Sequence, residues 1–230
     1  MTSHDPRSPA RAPALIAVRP TATVAITMLF ASCAANLFAT WTDWHRYQVA
    51  SDYVAGEPGI GVADLVGADN VAMGAVWLTF LALAAAATVF LTWLWRARMN
   101  AERLCPAEHR WSRGWTIGAW FVPVVNLWFP RQIVDDIWRA SRPDVPADTY
   151  RVDGLEQSPL VRAWWYAILA NVLVVLALRI ETSGEVTVEV LRSAALYGSV
   201  STLLLVVAAI FLTQVIRQIT RWQSSSQYPR

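Results

Sequence analysis

The chain has 230 residues, 55% of them hydrophobic and only 16% charged, with a formal net charge of +2. Soluble domains carry about a quarter charged residues and break their apolar runs into short amphipathic elements, so a water-soluble globule is excluded. All 19 basic residues are arginine, and no basic tract is interleaved with stacking aromatics, which argues against a nucleic-acid groove.

Residues 1–19 form a polar tail bearing Arg7, Arg11 and Arg19, expected to be disordered and cytoplasmic. Four uncharged runs follow: Pro20–Thr42, Val71–Trp95, Ala163–Leu178 and Ser193–Ile216. About 20 helical residues cross a ~30 Å hydrocarbon core. The third run is the shortest, but Arg162 and Arg179 can snorkel, which extends the usable span to about 160–180. The expected fold is therefore an all-α membrane protein. It comprises a single domain over residues 20–222, with spans near 20–42, 71–95, 160–180 and 193–216, and a C-terminal tail over 223–230.

Arginines decide the threading. The N-terminal tail, the middle connection and the C-terminal tail together hold 16, and the two remaining connections hold 3. The positive-inside rule places both termini in the cytoplasm of a cell that carries the protein in its plasma membrane. Trp41, Trp44, Trp93, Trp95, Trp164, Trp165, Tyr166 and Trp222 mark the span borders. The arginines ahead of the first run, with Phe30-Ala-Ser-Cys33, loosely resemble a cleavable lipoprotein leader. The apolar run continues through Leu37 and Phe38, however, so an uncleaved helix is expected.

Small residues at four-residue spacing suggest close helix contacts: Ala31 with Ala35, Ala194 with Gly198 and Thr202, and Ala82 with Ala84 to Ala87. Asn36, Asn171, Ser199, Ser201 and Thr202 lie within spans and are expected to be interhelical glue rather than a polar path. The acidic connection from Tyr47 to Asn70 has room for a short helix but lacks a core. Residues 181–190 are short enough to make a hairpin of the last two spans.

The middle connection, Arg96 to Arg162, carries the most distinctive residues. Trp115-Thr-Ile-Gly-Ala-Trp-Phe-Val-Pro-Val-Val-Asn-Leu-Trp-Phe-Pro130 has no charge, yet Pro123, Asn126 and Pro130 break it. It is expected to be interfacial or re-entrant on the cytoplasmic side, part of an interfacial segment over 115–141. Within that segment Arg131 to Ser141 reads as a short amphipathic helix, with Ile133, Val134, Ile137 and Trp138 on one face and Arg131, Asp135 and Arg139 solvated on another. Residues 141–158 read as a solvated linker.

Leu91-Thr-Trp-Leu-Trp-Arg-Ala-Arg-Met-Asn100, Trp120-Phe-Val-Pro123, Asn126-Leu-Trp-Phe-Pro130 and Ile137-Trp-Arg-Ala-Ser141 resemble the bacterial family called domain of unknown function 4328, over about 77–222. The resemblance implies an actinobacterial-type multi-pass membrane protein with no assigned activity. It singles out Trp115, Pro123, Asn126, Pro130 and Trp138, to which the aromatic anchors Trp120 and Trp128 are added. It implies no catalytic residue and no cofactor.

Chemical motifs are sparse. Cys105 and His109 have a possible metal spacing, but no second pair completes a zinc site. Cys33 and Cys105 should not meet. Asp135 and Asp136 point about 100° apart on a helix and should not converge on one atom. His45 reads as an interfacial residue. The expected function is a non-catalytic module binding lipid, a partner membrane protein or a second copy of itself through the tryptophan-rich segment. The alternative is a small transporter or pore gated around Asn126, with Asn36 and Asn171 lining a path.

Overall fold

A computed structural model describes residues 15–146, 148–182 and 184–225. The expected tails over 1–14 and 226–230 lie outside the described residues. Helix α1 spans Arg19–Ala55 and α2 spans Val62–Leu104. A single helical turn, α3 (Trp115–Gly118), and a 3-10 turn (Val125–Leu127) lead into α4 (Phe129–Ala140). A second 3-10 turn (Val152–Gly154) precedes α5 (Pro159–Glu181) and α6 (Val188–Gln223).

Four helices, α1, α2, α5 and α6, are long and apolar enough to cross a membrane, as a multi-pass membrane protein requires. Only 11–39% of the residues in their most apolar windows are buried within the chain. Leu37, Phe80, Leu83, Leu173 and Leu203 point outward. In water that exposure would be ruinous; against acyl chains it costs nothing.

The four pack in the order α2, α1, α6, α5, and the two edge helices, α2 and α5, leave a gap between them. α4 closes one end by packing across α2, α5 and α6. We call this the capped end; the hairpin connections mark the open end.

Local chemistry explains the helix limits. Gly56 ends α1 in the left-handed region (φ 73°), which a residue without Cβ adopts at no steric cost. The Ser158 hydroxyl accepts from Val161 N at the start of α5, where Pro159 supplies a pre-set φ. Thr187 caps Val190 N in the same manner ahead of α6.

Several expectations change. No separate helix lies between Tyr47 and Asn70. Instead α1 continues to Ala55 and α2 begins at Val62, with Ala50 and Ala68 buried and Arg46 paired to Asp69 across the hairpin. Helical propensity and antiparallel packing continue past the charge border, which limits lipid contact but not helicity. α2, at 43 residues, is about 64 Å long, twice a hydrocarbon core.

Some small-residue pairs also miss. Ala31, Ala84, Ala85 and Ala87 are exposed, whereas Ser32, Ala35, Ala86, Ala195 and Thr202 are buried. In spans where every face is apolar, spacing alone does not select the contacting face.

The expected tails are not free where they are described. Val18 is buried, and Ile16 exchanges two backbone hydrogen bonds of 2.8 Å with the Asn100 side chain. Gln223 is buried in the same knot. Cys33 and Cys105 are both free and buried in separate places.

Candidate interaction site

The capped end is built around α4. Ile133, Val134 and Ile137 are fully buried and meet Trp93, Leu94, Ile216 and Ile219 from α2 and α6 in one core. Burying each such side chain is worth about 1.5–3 kcal/mol.

The opposite face of α4 is the main correction. It was expected to be solvated, but Asp135, Asp136 and Arg139 are at most 3% exposed. Arg139 pairs with Asp135 at 2.9 Å and stands 3.9 Å from Asp136, so one planar guanidinium spans both carboxylates despite their divergent directions. Asp135 also accepts from Ser158 N at 2.9 Å, and Asp136 from Arg110 N at 3.2 Å. Arg139 donates to Val152 O at 3.2 Å. The loops on either side of α4 thus supply the partners that four-residue spacing alone does not reveal. Burial pushes both aspartates above the usual carboxylate range, while Arg139 and Arg110 pull against it.

The segment over 141–158 is solvated along most of its length, as a linker would be, but it is tied down at three points. Ser141, Val152 and Ser158 are fully buried, and Glu108 and Arg151 form a parallel bridge. Next to it, Glu102 accepts from Arg98 at 2.8 Å and Arg113 at 2.6 Å. Burial would raise that carboxyl, but the two guanidiniums outweigh it and hold it below its ordinary value. Burial lowers His109 to about 4, helped by Arg98 and opposed by Glu102.

A polar knot ties the helix ends together. Gln223 donates to Ala97 O at 2.9 Å and to the Ser141 hydroxyl at 2.8 Å, and accepts from Asn100 at 3.1 Å. Trp93 donates to Thr220 at 3.2 Å and Trp138 to Gln218 at 2.8 Å.

On this base stands the tryptophan- and proline-rich segment. The Trp120 ring lies 5.4 Å from Phe90 of α2 and 6.3 Å from Trp164 of α5, so it fills the gap between the two edge helices. Phe90 lies six residues before Arg96, roughly 9 Å along the helix toward the open end. Trp165 donates to Leu127 O at 2.9 Å and pins the returning limb. Trp115 meets Phe129 edge-on at 5.2 Å, and Phe129 stacks on Trp111 at 3.7 Å. Trp111 in turn donates to Gln132 at 2.8 Å.

Between these anchors the chain reverses at Val124. Its φ of 68° and ψ of −55° form a γ-turn closed by Val125 N donating to Pro123 O at 2.8 Å. A β-branched residue there is strained by about 1–3 kcal/mol, and such strain persists only where the surroundings over-determine it. The turn thrusts apolar side chains outward: Phe121 is 72% exposed, Val124 65%, Leu127 48% and Trp128 43%.

The seven expected site residues therefore divide. Trp115, Trp120, Pro130 and Trp138 are framework: Pro130 is buried in the first turn of α4, and Trp138 packs edge-on to Trp222 at 5.3 Å. Pro123, Asn126 and Trp128 are on the exposed side. Sequence reasoning missed Phe121, Val124 and Leu127 as presenting residues, and Trp111 and Trp165 as anchors. An uncharged run shows that a segment avoids water without showing which side chains turn out.

The path residues do not gather. Asn36 donates to Ser32 O on its own helix, Asn171 accepts from Ser201 at 2.6 Å, and Asn126 is exposed on the segment. Thr40 meets Thr202 at 2.8 Å and Trp44 donates to Ser199 at 3.0 Å, as glue between α1 and α6. His45 stacks on Trp41 at 5.5 Å. Among the described residues no group of three His, Cys, Asp or Glu comes together as metal ligands.

No curated protein and no solved structure matches the chain. One family model, described as "Domain of unknown function (DUF4328)", matches residues 56–221. It takes in the hairpin turn and all of α2 to α5, stops two residues short of the end of α6, and omits α1. The match spans the aromatic cap, the buried Asp–Arg cluster and three of the four membrane-length helices, and the chain belongs to this DUF4328 family.

Proposed function

We propose that the chain is a non-catalytic module of the plasma membrane, with both termini cytoplasmic. It presents residues 117–128 as a re-entrant apolar surface to lipid or to the spanning face of a partner membrane protein, a second copy included. The observation that carries this reading is the exposed cluster of Phe121, Val124, Leu127 and Trp128 on a strained, charge-free turn anchored by Trp120 and Trp165. Apolar side chains held outward by a rigid framework suit a nonaqueous neighbour. The contact of Trp120 with Phe90 supports re-entry, because Phe90 lies within an uncharged run. The concentration of arginines at the capped end supports the orientation.

A photo-crosslinking residue at position 121 of the full chain, irradiated in native membranes, is expected to capture lipid or a discrete protein. Capture of neither would leave the segment in water and end the proposal. Phe121→Ser with Trp128→Ser should abolish the capture of a protein from a crosslinker at position 124 without changing the thermal midpoint. A reporter fused after residue 225 should be active in the cytoplasm.

A further inference from the structure

The other side of the capped end has a different chemistry. Arg19 at the start of α1 and Arg217 and Arg221 near the end of α6 line one groove of about 580 Å³. Ala22, Thr23, Ile26 and Thr27 of α1 and Thr220 of α6 complete its lining. No carboxylate lines it, and none of its residues belongs to the 115–141 segment.

Several arginines elsewhere at this end are matched, Arg98 and Arg113 to Glu102, Arg110 to Asp136 and Arg139 to Asp135, whereas Arg96, Arg131 and Arg162 stand apart from one another without a carboxylate among the described residues. Arg217 and Arg221 are exposed and pair with no carboxylate among the described residues, and Arg19 reaches only Ser224 O, at 3.5 Å. Arg217 and Arg221 are four apart on one helix face, a spacing that sets Cβ atoms about 6 Å apart, and like charges so placed repel until an anion arrives. Guanidinium groups match phosphate oxygens in charge and in donor geometry.

Depth selects the anion's source. Arg19 directly precedes the first uncharged run and Arg217 directly follows the fourth, so the groove straddles the border where headgroup phosphates lie. Its apolar lining residues, Ala22 and Ile26, lie within the first uncharged run. The chain's first fourteen residues contain two arginines and one aspartate, so they do not complement it. No aromatic ring lines the groove to stack a base.

We propose that this groove holds the headgroup phosphate of an anionic phospholipid on Arg19, Arg217 and Arg221, with an acyl chain along Ala22 and Ile26. The site depends on the spanning of α1 and α6 and is independent of the tryptophan-rich segment.

The test uses the full chain in nanodiscs of phosphatidylcholine carrying increasing phosphatidylglycerol, with retained lipid counted by native mass spectrometry. Arg217→Gln with Arg221→Gln should weaken phosphatidylglycerol retention about tenfold, while Arg96→Gln with Arg162→Gln, equal in charge and set at the borders of the second and third runs, should change it less than about twofold. Equal losses in both would reduce the effect to diffuse surface charge and overturn the proposal, as would no loss in the first. Should the double variant lose its helical signal, Arg221→Gln alone, expected to weaken retention about threefold, decides in the same way. Competition by millimolar inorganic phosphate would assign the groove to a soluble anion instead of a lipid.

Discussion

The two ends of this molecule are held together by different physics. At the open end α1 and α6 meet through small residues and isolated hydroxyls: Thr40 on Thr202, Trp44 on Ser199, and Gly198 so close to α1 that a Cβ there would lie 3.2 Å from Asp43 Oδ2. At the capped end four helix termini, α4 and two loops share a core with four fully or nearly fully buried charged groups, Arg98, Asp135, Asp136 and Arg139. Lipid gives helices no hydrophobic reason to associate, so the open end relies on fit and weak hydrogen bonds. Water at the capped end restores that drive, and the same water makes a buried, half-satisfied ion expensive. The contrast teaches that position in the membrane, not residue type, sets what a contact is worth.

The sharpest way to break this comparison is Arg139→Met. It leaves two buried aspartates without their shared cation and is expected to cost about 3–5 kcal/mol, seen as a large drop in the thermal midpoint in detergent. A drop no greater than that of an open-end variant would show the two ends to be energetically alike. Gln223→Ala comes next. It strands donors and acceptors on Asn100, Ser141 and Ala97, and about 1–3 kcal/mol should be lost, with faster amide exchange around Ile16 and the end of α4.

Acid should act on the capped end through His109. Burial lowers its folded pKa from 6.5 to about 4, so between those values the unfolded chain takes up a proton that the folded chain refuses. Its stabilisation is complete above pH 6.5 and declines as pH falls toward 4, by on the order of 3 kcal/mol. His109→Gln should flatten that part of the midpoint-versus-pH curve; an unchanged slope would assign it to other groups. The smallest effect is expected at the open end, where Thr202→Val should cost about 0.6 kcal/mol. A loss above about 2 kcal/mol would mean that hydroxyl pairs in the spans matter more than the comparison allows.

Legibility in the sequence followed the same division. The spans were readable because exclusion of charge from hydrocarbon is a one-dimensional rule. The short helix after Pro130 and its apolar face were readable because Ile133, Val134 and Ile137 recur at helical spacing. The charged face misled: Asp135, Asp136 and Arg139 look solvated in any local window, since Ser158, Val152 and Arg110, which bury and pair them, come from distant segments. Trp165 read as one more border aromatic, although its indole N–H fixes the turn that turns Phe121 outward.

By itself, then, the order of residues determined that the chain partitions into a bilayer, how many helices are long enough to cross it and which stretch avoids both charge and regular helix. Those are properties of each segment's transfer from water. Tertiary structure decided which faces meet, which charges are hidden and which aromatics are anchors or outward-facing surface. Each of those depends on partners brought together from up to two hundred residues away, and no local pattern encodes them.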